Sequence, residues 1–167
     1  LGSGERQLAA ERLAKALELN EYDADALLLA GDLALGDRRW DSARNAYERA
    51  RALRPRNPRP VLGLIGIAVA QERLDTARQW LDPLAARYPD APPVRYWQGA
   101  LAERAGEYDR ALSFYEKVLE DIPEQPETLA QIGAGYLRAG RAEAAVTPLE
   151  KVVRLRPHDL AAAKLLA

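Results

Sequence analysis

The feature that most constrains the fold of this chain is a repeat of 34 residues. We use the word column for a set of residues that occupy the same place in successive repeats. The clearest example is the alanine column Ala43, Ala77, Ala111 and Ala145. Three further columns keep the same interval: Pro55, Pro89, Pro123 and Pro157; Tyr47, Leu81, Tyr115 and Leu149; and Ala50, Leu84, Val118 and Val152. Four columns in register predict stacked units that bury a continuous core.

Each repeat carries the signals of two amphipathic helices, which we name its first and second helix. In the first repeat, Leu27, Gly31 and Ala34 follow the i, i+4, i+7 spacing of one helix face. Turn signals separate the two helices in three repeats: Gly36-Asp37, Gly106-Glu107 and Gly140-Arg141. Because no segment shows the alternating pattern of a strand, the chain is predicted to be all-α.

Proline marks the predicted helix boundaries. A missing N–H is tolerated near the start of a helix, and five prolines stand near the starts of first helices: Pro58, Pro60, Pro92, Pro93 and Pro126. The proline column follows the second helices and predicts where they end. Pro83 and Pro148 fall inside second helices instead, where each removes a backbone hydrogen bond and predicts a kink.

Small residues recur where the two helices of a repeat have to approach closely. Glycine stands at position 8 of three repeats: Gly31, Gly99 and Gly133. The second repeat departs from this pattern, with Ile65 at that position and Gly66 after it. The third repeat adds the turn pattern G-x-Y-x-x-A: Gly106, Tyr108 and Ala111. Together with proline at position 32, these residues resemble the tetratricopeptide repeat (TPR) family. The resemblance implies an all-α, right-handed superhelical solenoid of helical hairpins that binds a partner molecule.

The same resemblance divides the chain into segments. It predicts four complete repeats: 24–57, 58–91, 92–125 and 126–159. Before them, Ala9 falls in the alanine column, so residues 5–23 are predicted to be the second helix of a preceding partial repeat. The two remaining predicted segments are a linker remnant at 1–4 and a capping or truncated next helix at 160–167.

Composition excludes several classes of partner. The chain has 24 Lys and Arg against 25 Asp and Glu, a net charge of −1, which gives no broad electrostatic reason to bind nucleic acid. No apolar run reaches the roughly 20 residues that a transmembrane helix needs, so no direct membrane insertion is predicted. Because the chain has no cysteine, it offers no disulfide framework and leaves the compartment open between periplasm and cytoplasm.

No group of residues predicts catalysis, a metal site or a cofactor. His158 is the only histidine and follows Pro157 in a predicted turn, so it lacks the second ligand or nucleophile that such chemistry needs. The glycines Gly133, Gly135 and Gly140 lack both the spacing of a dinucleotide fingerprint and the Lys-Ser/Thr of a phosphate loop. The sequence therefore predicts a protein that is not an enzyme.

In TPR proteins, positions 2, 5, 9 and 12 of the first helices line an inner, concave groove. Carried over to this chain, the resemblance implies the following partner-binding residues, with two arginines at position 13: Leu28, Asp32, Arg59, Leu62, Gly66, Val69, Tyr96, Ala100, Glu103, Arg104, Ala130 and Arg138. Their apolar and small side chains suit a partner helix or an extended peptide. The Lys and Asn with which chaperone-docking members of the family bind a carboxylate are absent at the matching positions.

Three functions follow from this interpretation. The leading one is a protein–protein interaction scaffold, a segment of a larger bacterial protein such as an envelope, exopolysaccharide-export or pilus assembly factor. The alternative is a substrate-docking or regulatory arm of an enzyme, such as a glycosyltransferase, with its catalytic residues elsewhere. The third is self-association through exposed end helices, because the terminal faces of a repeat array are apolar when uncapped.

Overall fold

In the computed structural model, the described backbone comprises residues 3–158 and 160–166, and the described side chains are those of residues 7–158 and 160–166. These residues form ten helices and no strand. The helices are α1 (Ser3–Leu19), α2 (Ala24–Gly36), α3 (Trp40–Leu53), α4 (Arg59–Ala70), α5 (Leu74–Arg87), α6 (Pro92–Arg104), α7 (Tyr108–Asp121), α8 (Pro126–Arg138), α9 (Ala142–Leu155) and α10 (Leu160–Leu166). They belong to two units, Leu1–Trp80 and Leu81–Ala167.

In the first unit, α2 packs against α1, α3 and α4, and α3 also packs against α4. The core of this unit consists of Leu27, Leu28, Ala34, Ala43, Tyr47, Ala50, Leu64 and Ile67. The Tyr47 ring lies between two glycines. A Cβ atom added to Gly31 would lie 2.5 Å from this ring, and one added to Gly63 would lie 2.4 Å from it. Glycine at both positions is therefore what admits the ring.

In the second unit, α7 packs against α6 and α8, while α9 packs against α8 and α10. Its core consists of two clusters: Ala102, Ala111, Leu112, Tyr115 and Ile132, followed by Leu129, Val152 and Ala162. Glycine again makes room for a side chain of the second helix. A Cβ atom on Gly99 would lie 2.6 Å from the Tyr115 ring, and one on Gly133 would lie 2.5 Å from Leu149.

The turn between the two helices of a repeat has one geometry throughout. Its key residue has a positive φ: Arg38 (58°), Glu72 (55°), Gly106 (78°) and Gly140 (73°). In each case the following N–H reaches back to a carbonyl five residues earlier, as in the 2.8 Å bond from Arg39 N to Ala34 O. This bond is the one that closes a Schellman motif.

One predicted turn is wrong in detail. The sequence predicts the first turn at Gly36-Asp37, but Gly36 is the last residue of α2 and a Cβ atom on it would meet nothing within 4 Å. The left-handed residue is Arg38. The hydrogen bonds at the end of the helix determine which residue takes the left-handed conformation. A glycine two residues away, Gly36, therefore does not move the left-handed position from Arg38 to itself.

Proline lies at the helix boundaries as predicted. Pro58 precedes the first residue of α4, and Pro92 and Pro126 begin α6 and α8. The residues of the proline column each stand two places after the end of a second helix. Pro83 and Pro148 lie inside α5 and α9, and both helices continue past them.

The predicted terminal segments fall partly outside the described residues. Leu1 and Gly2 of the predicted linker and Asp159 and Ala167 are not described. The helix α1 begins at Ser3, which is earlier than the linker prediction allowed. The first two residues of α1, Ser3 and Gly4, therefore lie within the segment that the sequence predicts as a linker.

Candidate functional site

The predicted binding residues lie on α2 and α4 in the first unit and on α6 and α8 in the second. In the first unit, several of them belong to the interior instead of an open surface. Leu28 is 1% exposed and part of the core, and Gly66 and Val69 are buried as well. Leu62 is half-buried. Because the buried face of α2 is wide enough to include Leu28, this leucine is unavailable to a partner.

The polar residues of the first unit form a connected group. The Tyr47 hydroxyl donates a 2.7 Å hydrogen bond to Asp32 Oδ1, and Arg59 Nη2 lies 3.2 Å from Asp32 Oδ2. Asp32 thereby links α2 to α3 and α4. Burial, followed by the hydrogen bond to Asp32, raises the pKa of Tyr47. The tyrosine is therefore a protonated donor throughout the physiological pH range.

The second unit builds a related group around Glu103. The Glu103 side chain is only 10% exposed and forms an ion pair with Arg138. Its Oε2 accepts a 2.9 Å hydrogen bond from the Tyr115 hydroxyl. Burial raises the pKa of Tyr115, whereas the nearby Arg104 guanidinium acts in the opposite direction. Both carboxylate oxygens of Glu103 are thus engaged inside the protein, while the Arg138 side chain remains 49% exposed.

Aromatic side chains lie beside this group. The Tyr96 ring packs edge-on against Trp97, with centroids 5.3 Å apart, and lies 5.7 Å from the Tyr115 ring. Burial raises the pKa of Tyr96, and a hydrogen bond with the Gln131 side chain opposes that shift. Tyr96 is therefore flanked by two aromatic rings, one on its own helix and one on α7.

Small side chains make up much of the remaining face of α6 and α8. Ala100, Ala130 and Ala134 are all half-buried, so each keeps part of its surface accessible. Trp97 is also half-buried. The second unit thus combines small apolar side chains, an aromatic pair and two exposed arginines, Arg104 and Arg138, on its first helices.

Sequence reasoning missed two residues of these groups. The sequence predicts only a packing role for Tyr47 and Tyr115, yet their hydroxyls carry the polar links between helices. A signal for the tyrosines was present, because the other repeats have Leu81 and Leu149 in the same column. A buried tyrosine in place of leucine brings a hydroxyl that needs a partner.

Charges near the starts of two first helices are paired within their own repeat. Asp25 Oδ1 lies 2.8 Å from Arg54 Nη1, and Glu127 pairs with Arg156 at the same sequence separation of 29 residues. All four side chains are about half exposed or more. Pairs with this exposure contribute little to stability, but they show that the two repeats share one register.

The described residues contain no group of three or more His, Cys, Asp or Glu placed to hold a metal ion. His158 is exposed in the turn that precedes α10. Among the described helices, none is long and apolar enough to cross a membrane.

Comparison with known proteins identifies the repeats. One profile of the tetratricopeptide repeat family matches residues 34–103 and 102–167, and a second matches residues 1–58. The comparison with curated proteins finds no significant match.

Solved structures agree with the repeat assignment. The chain is similar to TTC0263, a thermophilic TPR protein of Thermus thermophilus, with 23% identity and a TM-score of 0.82 over 98% of this chain and 91% of that one. A TPR protein of Parabacteroides merdae has 18% identity and a TM-score of 0.86, over 98% of this chain and 64% of that one. YrrB, described as a TPR protein with an unusual peptide-binding site, has 24% identity and a TM-score of 0.59, over 96% and 83%.

Identities this low establish the fold alone. The predicted fold class, an all-α TPR solenoid, is confirmed by the ten helices, by these structures and by the profiles. Because the first profile alone covers most of the chain, the protein belongs to the tetratricopeptide repeat family.

Proposed function

We propose that this protein is an interaction scaffold that holds a helix or an extended peptide of a partner protein on the first helices of its repeats. The observation that carries the proposal is the α6–α8 face of the second unit. There the small side chains of Ala100, Ala130 and Ala134 and the ring of Tyr96 are half-buried, and Arg138 stands at the end of α8 with about half of its side chain exposed. Small residues admit a backbone or a helix, and aromatic and arginine side chains are the usual anchors of protein interfaces.

The internal contacts of this face favour a preformed binding surface. Tyr96 packs against Trp97 and Tyr115, and Glu103 forms an ion pair with Arg138. Side chains that are already ordered lose less conformational entropy when a partner binds. The face can therefore bind a peptide without first rearranging its own side chains.

Two similar structures support an interaction role. YrrB is described by its peptide-binding site. A chain in the structure of the APC/C hetero-tetramer Cut9–Hcn1 has 18% identity and a TM-score of 0.76, over 98% of this chain and 33% of that one, and it belongs to a multiprotein assembly. The same α-helical hairpins thus occur in proteins that bind peptides and in proteins that assemble with others.

We further propose that the chain itself performs no catalysis, since its single histidine is exposed in a turn. The partner's identity then decides between the two predicted contexts. A component of bacterial envelope, exopolysaccharide-export or pilus machinery supports the scaffold of an assembly factor. A glycosyltransferase substrate or catalytic domain supports the docking arm of an enzyme.

The test uses substitutions that fill the face without removing a core contact. The double variant Ala100→Arg, Ala134→Arg places two long side chains on the α6–α8 face. The matched control, Ala52→Arg, Ala86→Arg, adds the same charge to exposed positions of the second helices α3 and α5. Tyr96 is left unchanged, because its contacts with Tyr115 would make a loss of binding ambiguous.

Partners are captured from a cell extract with wild type and both variants, after circular dichroism has shown equal helix content and thermal stability. We expect a partner that wild type and the control retain and that the Ala100/Ala134 variant loses. Retention by all three proteins would place binding outside the α6–α8 face.

A further inference from the structure

A cavity of about 200 Å³ lies between α1, α2 and α3 of the first unit. Most of its described lining is alanine and leucine: Ala10, Leu13, Ala14, Leu17, Ala30, Leu33, Ala34 and Ala46. The two polar lining residues, Arg39 and Ser42, are exposed, so the cavity is an apolar site with a polar rim. An apolar cavity of roughly 150 Å³ can bind benzene, so this one is large enough for an aromatic ring.

Other repeats have large side chains where this cavity has alanine. Ala46 belongs to a column whose next two members, Trp80 and Phe114, are aromatic. Ala30, which also lines the cavity, has Leu64 as the next member of its own column. The first repeat therefore lacks bulk at a place where the second repeat has a leucine and an indole.

The position of Trp80 shows what fits at this place. Trp80 is half-buried and packs against the core cluster of the first unit, to which Leu64 and Ile67 belong. These two residues stand 34 positions after Ala30 and Leu33, which line the cavity. The indole of Trp80 thus lies on the part of its repeat that corresponds to the cavity of the repeat before it.

An arginine lies over the ring at both aromatic positions of this column. The guanidinium carbon of Arg51 is 4.8 Å from the centroid of the Trp80 ring, and that of Arg110 is 5.9 Å from the centroid of the Phe114 ring. Both distances are within the roughly 6 Å of a cation–π contact. Arg39 gives the cavity an arginine too, with 54% of its side chain exposed.

From this correspondence we propose that the cavity binds an aromatic side chain of a partner protein, with tryptophan as the best fit, as Trp80 fills the matching place from within the chain. The volume admits a ring, the alanine and leucine lining disfavours a charged side chain, and Arg39 favours an aromatic group over an aliphatic one. Tryptophan is also enriched among the residues that dominate protein interfaces. The site lies in the first unit, and the proposal does not depend on the α6–α8 face.

The first probe is N-acetyl-tryptophanamide, which carries the tryptophan side chain between two peptide bonds. Its binding is followed by the NMR shifts of the Leu13 and Leu17 methyl groups. We expect saturable binding with a Kd on the order of 1 mM, and binding of N-acetyl-leucinamide that is about threefold weaker. Arg39→Gln should reduce this preference, and it removes only an exposed ion pair with Asp37.

Three outcomes of these titrations would overturn the proposal. Unchanged methyl shifts with N-acetyl-tryptophanamide would show that the cavity does not bind the side chain. Equal affinity for the leucine derivative would show that the site does not select aromatic groups. Binding of free indole without binding of N-acetyl-tryptophanamide would assign the cavity to a small molecule instead of a partner protein.

Variants of the lining test whether the probe binds in the cavity. Ala46→Trp gives α3 the residue that α5 has at the same position and should abolish binding. Ala14→Glu, at an exposed lining position, should weaken binding at least about tenfold by placing a carboxylate against the ring. Its matched control is Ala52→Glu, at an exposed position of α3 outside the lining, which should bind as wild type does.

Unchanged binding in Ala14→Glu, or an equal loss in Ala52→Glu, would place the probe elsewhere and overturn the proposal. The Ala100→Arg, Ala134→Arg variant should bind N-acetyl-tryptophanamide as wild type does. This variant therefore distinguishes a failure of the cavity from a failure of the α6–α8 face.

Discussion

The two units each have a buried tyrosine in the same column, but the carboxylate that accepts the hydrogen bond from its hydroxyl is exposed in one unit and buried in the other. Tyr47 and Tyr115 each donate to a carboxylate that also pairs with an arginine on the next first helix. In the first unit the acceptor is Asp32, whose side chain is 48% exposed. In the second it is Glu103, which is 10% exposed. The same hydrogen-bond arrangement is open to solvent in one unit and enclosed in the other.

The difference shows which features the repeat determines. The close approach of the tyrosine to a position-8 glycine is common to both units, as Gly31 and Gly99 demonstrate. The position of the acceptor carboxylate differs between the units, because Asp32 stands at position 9 of its repeat and Glu103 one helical turn later, at position 12. Backbone register therefore places the ring, whereas side-chain length and the local neighbours decide which carboxylate reaches the hydroxyl.

The largest expected change in the free energy of unfolding comes from replacing a glycine of the first unit by the residue that occupies the same repeat position in the second unit. Gly63 and Gln131 occupy the same repeat position, and a Cβ atom on Gly63 would lie 2.4 Å from the Tyr47 ring. Gly63→Gln should lower the free energy of unfolding by about 3 kcal/mol through overpacking, measured by urea denaturation. Gly36→Gln is the matched control, since nothing lies within 4 Å of its Cβ position. Equal losses in both variants would contradict the packing explanation.

Removing the two hydroxyls should distinguish the enclosed arrangement from the open one. Tyr115→Phe leaves Glu103 enclosed with one donor fewer and should destabilise the protein by about 2 kcal/mol. Tyr47→Phe should destabilise it by only about 1 kcal/mol, because water can replace the hydroxyl at the more exposed Asp32. Thermal and urea unfolding of both variants measure the two values, and a larger loss for Tyr47→Phe would reverse the comparison.

The same tyrosines predict a loss of stability in alkali. Burial raises the pKa of both Tyr47 and Tyr115 above the usual value of 10.0. Their contribution is therefore complete below pH 10 and declines as the pH rises above it, when the unfolded chain begins to release these protons. We expect the melting temperature to fall from about pH 10 to about pH 12, and to fall less in the double variant Tyr47→Phe, Tyr115→Phe. An equal fall would remove these tyrosines as the cause.

The turns provide a smaller test. Arg38 and Gly106 take the same left-handed conformation in the two units, which a non-glycine residue adopts at a cost of about 1 kcal/mol. Gly106→Arg should destabilise the second unit by about 1 kcal/mol, whereas Arg38→Gly should stabilise the first by about 0.5 kcal/mol after the entropy of glycine is subtracted. Changes of the same sign in both variants would show that the turn conformation is not responsible.

The smallest difference in stability is expected from the two exposed ion pairs near the starts of first helices, Asp25–Arg54 and Glu127–Arg156. Arg54→Ala and Arg156→Ala each break an exposed ion pair of the same register. Both should change the free energy of unfolding by less than about 0.5 kcal/mol, and equally in the two units. A loss above about 1 kcal/mol in either, beyond the range of an exposed pair, would indicate that the arginine makes a further contact.

The columns of the sequence predicted the helices, their proline boundaries and glycine at the contact between the two helices of a repeat, because these follow from backbone spacing alone. That a tyrosine ring fills the space beside Gly31 and Gly99 was not predicted. The burial of Leu28 and Val69 was not predicted, since the family's groove positions do not state how wide the buried face of a helix is. Nor were the tyrosine–carboxylate–arginine groups predicted. They join residues whose separations, 15 for Tyr47–Asp32 and 12 for Tyr115–Glu103, do not repeat.

Within each unit, the helices pack mainly against their neighbours in sequence. Contacts of this kind close only short loops, so little chain entropy is lost before they form. Folding can then begin at any hairpin and spread to the next one, as in a one-dimensional chain of coupled elements. Hydrogen exchange should accordingly be fastest in α1 and α10, whose described side chains are mostly exposed, and slowest in the hairpins around Tyr47 and Tyr115.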